Sequence, residues 1–291
     1  MDAATTESNR IATRRVLGIL LALNLIVCIA KLAAGTMAQS LAVMSDGVHS
    51  SIDAINNIFG IVLLRLAAKG PDAGHPYGHG KIETLGAFCI AGFMFITCYE
   101  IVKQSLGRVW TGETPSFEIT TLTFAVMGTT LLINIFVVLY EKAMARRYSS
   151  EFLYADAVHT QSDILVTLSV LAGLPLVMRG YVVLDALLAL VISGVIAWSG
   201  FLVLRRTVPV LIDAAAVDDG LIRKAAVKMP GVVDVADIRS RMHGGQKFIE
   251  LTMVVTEYDL REAHEITERL EKKIVELCGP AAITIHVEPE S

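Results

Sequence analysis

The chain is 291 residues long, 54% hydrophobic and 19% charged, with a formal net charge of -4 and a mean hydropathy of +0.58. Such a composition is too apolar for an ordinary water-soluble domain of this length and predicts a chain that lies largely in a lipid bilayer. The mild, unevenly spread charge excludes the basic footprint of a nucleic-acid binder, and there is no Gly-x-x-x-x-Gly-Lys loop to cradle a nucleotide.

Six segments carry the roughly 20 mainly apolar residues that a transmembrane helix needs. In chain order they cover approximately 16–34, 41–66, 84–106, 120–140, 152–177 and 182–204. The stretch before Val16 is polar and carries Arg10, Arg14 and Arg15. The apolar run that follows is too long for a cleaved signal peptide and is expected to remain as the first span. Cys28, Cys89, Cys98 and Cys278 are scattered without Cys-x-x-Cys spacing and read as small core residues rather than disulfides or a thiolate site.

After Arg206 the composition changes sharply. Asp218 and Asp219 precede an amphipathic helix reaching about Lys228, with Pro230-Gly231 as its stop signal. A strand over 232–238 leads through Gly244-Gly245 into a second over 247–256, where Ile249, Leu251, Met253 and Val255 alternate with Glu250 and Thr252. Asp259 is placed to cap a second helix to about Leu277, and 282–287 reads as a last strand. The chain therefore divides into an N-terminal tail (1–15), a six-helix transmembrane domain (16–206) and a small α+β domain (207–291).

Basic residues set the orientation. If six spans alternate, Arg10, Arg14, Arg15, Arg65, Lys69, Lys81, Lys142, Arg146, Arg147, Arg205 and Arg206 fall on one side, against Lys31, Lys103, Arg108 and Arg179 on the other. The positive-inside rule then puts both termini and the last domain in the cytoplasm.

Two copies of one polar pattern interrupt the apolar runs. The first runs from Asp46 through His49 to Asp53, and the second from Asp156 through His159 to Asp163. Positions i, i+3 and i+7 share a helix face, so each copy presents Asp, His and Asp as a single stripe. Ionisable groups inside a bilayer mark a pathway or binding site, although a lone His or Asp also serves as a helix-helix hydrogen bond. Span two enters from outside, which puts His49 and Asp53 roughly 12 to 18 Å down it at 1.5 Å per residue, and span five enters from inside, which puts His159 and Asp163 at almost the same distance from the opposite surface. In a core about 30 Å thick both sets reach the middle. Two imidazoles and two carboxylates suit tetrahedral zinc, whereas manganese or magnesium favours more oxygen ligands. Asp46 and Asp156, one turn away, read as groups that support the ligands or line the pathway.

These paired His-x-x-x-Asp motifs, followed after span two by the segment His75-Pro76-Tyr77-Gly78-His79-Gly80-Lys81-Ile82-Glu83, resemble the cation diffusion facilitator family of metal exporters over essentially the whole chain. The resemblance implies six transmembrane helices followed by a ferredoxin-like cytoplasmic domain, and a homodimer with that domain as a contact. It implies a transport site made of His49, Asp53, His159 and Asp163, with His49 pointing to the zinc-preferring rather than the manganese branch. It also implies a second metal at Asp72, His75 and His79, which on the residues alone read equally as solvated polar groups of a loop. Lys81 and Glu83 are placed for a local ion pair or a link to Asp213. In the cytoplasmic domain the resemblance points to His264, His286 and Glu288 as ligands. Ala236 and Thr252 stand where other members carry ligands, with Glu250 or His243 as substitutes, and two exposed surface histidines are the alternative.

The expected activity is export of a divalent cation, zinc foremost and otherwise Fe2+, Cd2+ or Mn2+, from a bacterial cytoplasmic membrane. Metal needs neutral imidazole and ionised carboxylate, so its binding displaces protons and its release readmits them, which makes protons the counter-ion. The chain has no His-Glu-x-x-His motif and no multi-histidine cluster of a membrane metalloenzyme. A membrane-bound metal sensor is the rival reading, with the metal as regulatory ligand of the cytoplasmic domain.

Overall fold

The computed structural model describes residues 3–37, 41–111, 121–178, 182–256 and 259–290. Six long helices come first: α1 (Ala3–Met37), α2 (Leu41–Ala67), α3 (Lys81–Thr111), α4 (Thr121–Tyr148), α5 (Glu151–Met178) and α6 (Val182–Leu211). The remainder is α7 (Asp219–Ala226), β1 (Val232–His243), β2 (Gln246–Val255), α8 (Leu260–Cys278) and β3 (Ala281–Pro289). Among the described residues, four stretches are long and apolar enough to cross a membrane, at Ile11–Ala33, Lys81–Gly107, Ala125–Tyr148 and Ala186–Leu211. The long helices outrun the apolar segments read from the sequence. α4, for example, continues past Tyr140 through Lys142 to Tyr148, because Arg146 and Arg147 in its last turn suit the negative end of the helix dipole.

The chain forms two compact units, one of residues 10–69 and 82–207, the other of 1–9, 70–81 and 208–291. In the helical unit, Leu17 and Leu20 of α1, Leu64 of α2, Ile90 of α3, Val137 of α4, Phe152 and Leu153 of α5 and Val203 of α6 share one core. Phe152 is its largest fully buried side chain. A Cβ at Gly60 would lie 2.3 Å from its ring, and one at Gly86 2.9 Å, so two glycines on α2 and α3 make the room it fills. α4 and α5 form a hairpin whose turn is so short that Ser149 adopts a positive φ of 51°. Lys142 donates to Gln161 at 2.5 Å across that hairpin.

In the second unit β2 pairs antiparallel with β1 and parallel with β3, giving the order β1-β2-β3. Alternation along β2 buries Ile249, Leu251, Met253 and Val255 against Ile222 and Ala226 of α7 and Ala263, Ile266, Leu270 and Ile274 of α8. β1 runs five residues beyond the predicted end at Ile238. The register shifts between Ala236 and Arg239, and Asp237 takes a φ of 48°, so a bulge lets the strand continue where the hydrophobic alternation breaks. Asp218 and Asp259 cap α7 and α8 by accepting backbone N–H bonds, as their positions before amphipathic runs predict. Asp259→Ala should lower the stability of this unit by about 1 kcal/mol, seen as a lower urea midpoint with an unchanged m-value.

Candidate metal centre

In the helical unit the repeated stripe is brought to one place. His159 Nε2 on α5 lies 3.8 Å from Asp53 Oδ1 on α2 and 3.9 Å from Asp163 Oδ2 one turn along its own helix. One ligand atom from each of the three lies within 4.8 Å of the others. Helix spacing accounts for the second contact, since i and i+4 share a face, and antiparallel packing for the first. Asp53 adjoins His159 while Gly60, seven residues further along α2, adjoins Phe152, seven residues earlier in α5. The two helices therefore run in opposite directions.

His159 is 6% exposed, and neither its Nε2 nor Asp53 Oδ1 has a hydrogen-bond partner among the described residues. The separations exceed hydrogen-bond length and approach the roughly 3.3 Å between neighbouring ligands of a tetrahedral zinc with bonds near 2.0–2.1 Å. Hydroxyls nearby do not compete for these atoms. Thr160, Ser162 and Thr167 donate to the carbonyls of Asp156, Val158 and Asp163, one turn back on α5. His49 lies on α2 four residues before Asp53, but its side chain, like that of Asp46, is outside the described residues.

A second cluster lies in the other unit, where Asp72, His75 and His79 also bring their ligand atoms within 4.8 Å. Asp72 Oδ1 accepts from the backbone N–H of Gly74 at 2.9 Å and of His75 at 2.7 Å, an Asx turn that folds the loop over its own carboxylate. His79 Nε2 lies 3.5 Å from Asp72 Oδ2, and the two imidazoles stand 4.2 Å apart. The N–H of His75 holds the Asp72 carboxyl below the usual carboxylate range, helped by the His75 ring and the N–H of Gly74. An ionised ligand is thus preset before any cation arrives.

Lys81 pairs with Asp213 at 2.8 Å, while Glu83 accepts from Ser150 Oγ at 2.5 Å. Arg241 lies over the ring of Tyr77 at 4.0 Å and 3.9 Å from Asp213, so the loop and the strand β1 share one charge cluster. Neither Tyr77 nor Arg241 is signalled by spacing, because their sequence separation is set only by the fold.

His264, His286 and Glu288 do not assemble with one another into a three-ligand cluster among the described residues. His264 faces Glu268 one turn along α8 at 3.6 Å, and His286 faces Glu288 along β3 at 3.5 Å, both rings being 71% exposed. Across the sheet His286 is level with Thr252, and Thr252 with Ala236, neither of which is a metal ligand. His243 packs edge-on against Phe248.

Sequence reasoning passed over Glu141. It falls just beyond the apolar run that ends at Tyr140 and next to Lys142, where a carboxylate reads as part of a solvated helix end. In the fold it is 1% exposed, and the charges of Asp156, Asp163 and Asp53 reach it.

Two family models match the chain, that of the cation efflux transmembrane domain over residues 17–212 and that of the cation efflux protein cytoplasmic domain over residues 217–290. An uncharacterized transporter of Methanocaldococcus jannaschii is 30% identical over 268 residues, which cover 91% of this chain and 94% of that protein. The cation-efflux pump FieF of Pectobacterium carotovorum is 30% identical over 278 residues, covering 93% and 90%, and that of Serratia proteamaculans 28% identical over 276 residues, covering 92% and 90%. With a helical unit that places imidazole and carboxylates together inside apolar helices, and a sheet unit after it, the chain belongs to the cation efflux, or cation diffusion facilitator, family: it is a multi-pass membrane transporter of metal cations and not an enzyme.

Proposed function

We propose that this protein exports a divalent transition metal, Zn2+ foremost, in exchange for protons, by alternating access around Asp53, His159 and Asp163 with His49 as the fourth ligand. The observation that carries this reading is the trio of ligand atoms from buried His159 and half-buried Asp53 and Asp163 on two antiparallel helices, with Nε2 of His159 and Oδ1 of Asp53 lacking hydrogen-bond partners among the described residues. A mixed nitrogen and oxygen set favours zinc over harder cations, and it holds metal only when its imidazoles are neutral and its carboxylates ionised. Entry of metal thereby expels protons, and their return resets the site. All six helices cross the bilayer in this reading, with 1–15 and 207–291 on the cytoplasmic side, as the distribution of arginine and lysine between loops supports. The match to a cation efflux cytoplasmic domain supports pairing of two chains through that domain, and in this reading His264, His286 and Glu288 are its regulatory ligands.

Metal flux into sealed proteoliposomes, driven by an imposed proton gradient and run in competition among Zn2+, Cd2+, Fe2+ and Mn2+, tests the reading. Uptake that ignores the proton gradient removes the antiport, a preference for Mn2+ removes the zinc assignment, and binding without flux makes the protein a sensor.

The Asp72, His75 and His79 cluster lies outside the membrane pathway in this reading and serves the protein by holding its loop. Replacing His75 and His79 together by alanine should therefore lower flux less than His49→Ala does, by under about tenfold against a loss to background. Equal and complete loss in both variants would place the loop on the obligatory route.

A further inference from the structure

Two further carboxylates lie buried beside the candidate transport site: Asp156, read from the sequence as supporting the ligands or lining the pathway, and Glu141, to which no role has been given. Glu141 on α4 is 1% exposed and Asp156 on α5 is 4% exposed. Each has an oxygen, Oε2 and Oδ2 respectively, with no hydrogen-bond partner among the described residues. They lie on the two helices of one hairpin, which the Lys142–Gln161 bond ties together, and the charge of Asp156 reaches Glu141. Lys142 itself is turned to Gln161, so it does not neutralise the pair.

Their depth is equally specific. Counted from the α4–α5 turn, between Tyr148 and Glu151, Asp156 lies roughly 8 Å along its helix, Glu141 roughly 10 Å, His159 roughly 12 Å and Asp163 roughly 18 Å at 1.5 Å per residue. The pair thus lies between the turn and the imidazole. On α2, Asn57 is one turn from Asp53 in the same direction, 2% exposed, with its amide nitrogen also unpartnered among the described residues. Because α2 runs antiparallel to α5, Asn57 stands near the level of Asp156.

We propose that Glu141 and Asp156 form a second, weaker divalent-cation site, which receives the ion from the α4–α5 end and passes it to Asp53, His159 and Asp163. Two ionised carboxylates in a water-poor interior are costly, and either protons or a divalent cation removes that cost, so a cation that displaces the protons couples its entry to proton release. Oxygen ligands alone hold a transition metal less tightly than a set that includes imidazole, so transfer by one helical turn runs toward tighter binding. A conduction path works when each stop binds well enough to admit the ion and loosely enough to release it. The proposal rests on the transport-site reading above and adds an entry step to it.

The test is Zn2+ uptake by full-length protein in sealed vesicles, with KM and kcat measured separately. Glu141→Gln keeps the shape and removes the charge, and should raise KM for Zn2+ about tenfold. Its kcat should change by less than about twofold, as loss of an encounter site rather than of the transport step requires. Glu141→Asp should return KM toward the wild-type value, and Asp156→Asn should behave like Glu141→Gln. An unchanged KM in both neutral variants, or a fall in kcat at constant KM, overturns the second site and leaves the pair as an interhelical contact. Asp53→Ala, run beside them, separates the two ideas: if it keeps its flux, the transport-site reading itself fails, whereas if it loses flux while Glu141→Gln keeps its KM, only the entry step fails.

Discussion

Asp53→Ala and Asp163→Ala are each expected to reduce metal flux in vesicles to the level of protein-free controls. Either change removes one of two carboxylates grouped with His159, and with it a charged ligand. The loss in metal affinity should exceed the roughly 10- to 100-fold cost of removing a group that only supports a ligand. The fold should survive, because neither carboxylate belongs to the apolar core around Phe152 and Leu17. Detergent-solubilised variants are expected to elute as the wild type does on size exclusion while binding metal too weakly to transport it. Near-normal flux in both variants would remove these residues from the transport site.

Gly60→Val should be nearly as damaging, by a different route. A Cβ at position 60 would lie 2.3 Å from one ring carbon of Phe152, 2.5 Å from another and 3.1 Å from Leu17 Cδ1. Phe152 is fully buried, with Leu63 and Gly86 also close by, so its ring has little room to move and α2 must shift away from α5. Overpacking of this kind costs about 1–3 kcal/mol. The functional loss should be larger than the loss of stability implies, because the displaced helix carries Asp53, two turns away, and ligand distances tolerate shifts of only about 0.2 Å. A lower melting temperature together with at least tenfold weaker transport is the expected outcome. Adding Phe152→Ala to Gly60→Val should restore part of the stability, since the two residues share one contact and their effects are not additive. Wild-type melting and flux for Gly60→Val would show that α2 and α5 are not held this closely.

Local patterns in the chain are strong enough to specify its elements. The caps at Asp218 and Asp259, the alternation in β2 and the Pro230-Gly231 stop act within a few residues, and α7, α8 and β2 follow them closely. The apolar runs likewise predict long helices, although not their full lengths, since polar residues such as those after Tyr140 continue a helix that composition alone would end. Two spacings, i to i+4 in α5 and its repeat in α2, likewise make a polar stripe on each helix visible without coordinates.

Only the tertiary structure decides which stripes meet and what else joins them. That Asp53 lies 3.8 Å from His159 depends on antiparallel packing through Gly60 and Phe152, a contact between residues more than 90 positions apart that no periodicity announces. Glu141 shows the same limit from the other side. Beside Lys142, Arg146 and Arg147 it has the local chemistry of a solvated helix end, and its burial arises from the short turn that folds α4 back on α5. Arg241 over Tyr77 and the separate, exposed settings of His264 and His286 are fixed in the same way. Sequence determines element type through interactions within a few residues, whereas the burial of a charge and the partner it meets are properties of surfaces assembled from distant parts of the chain.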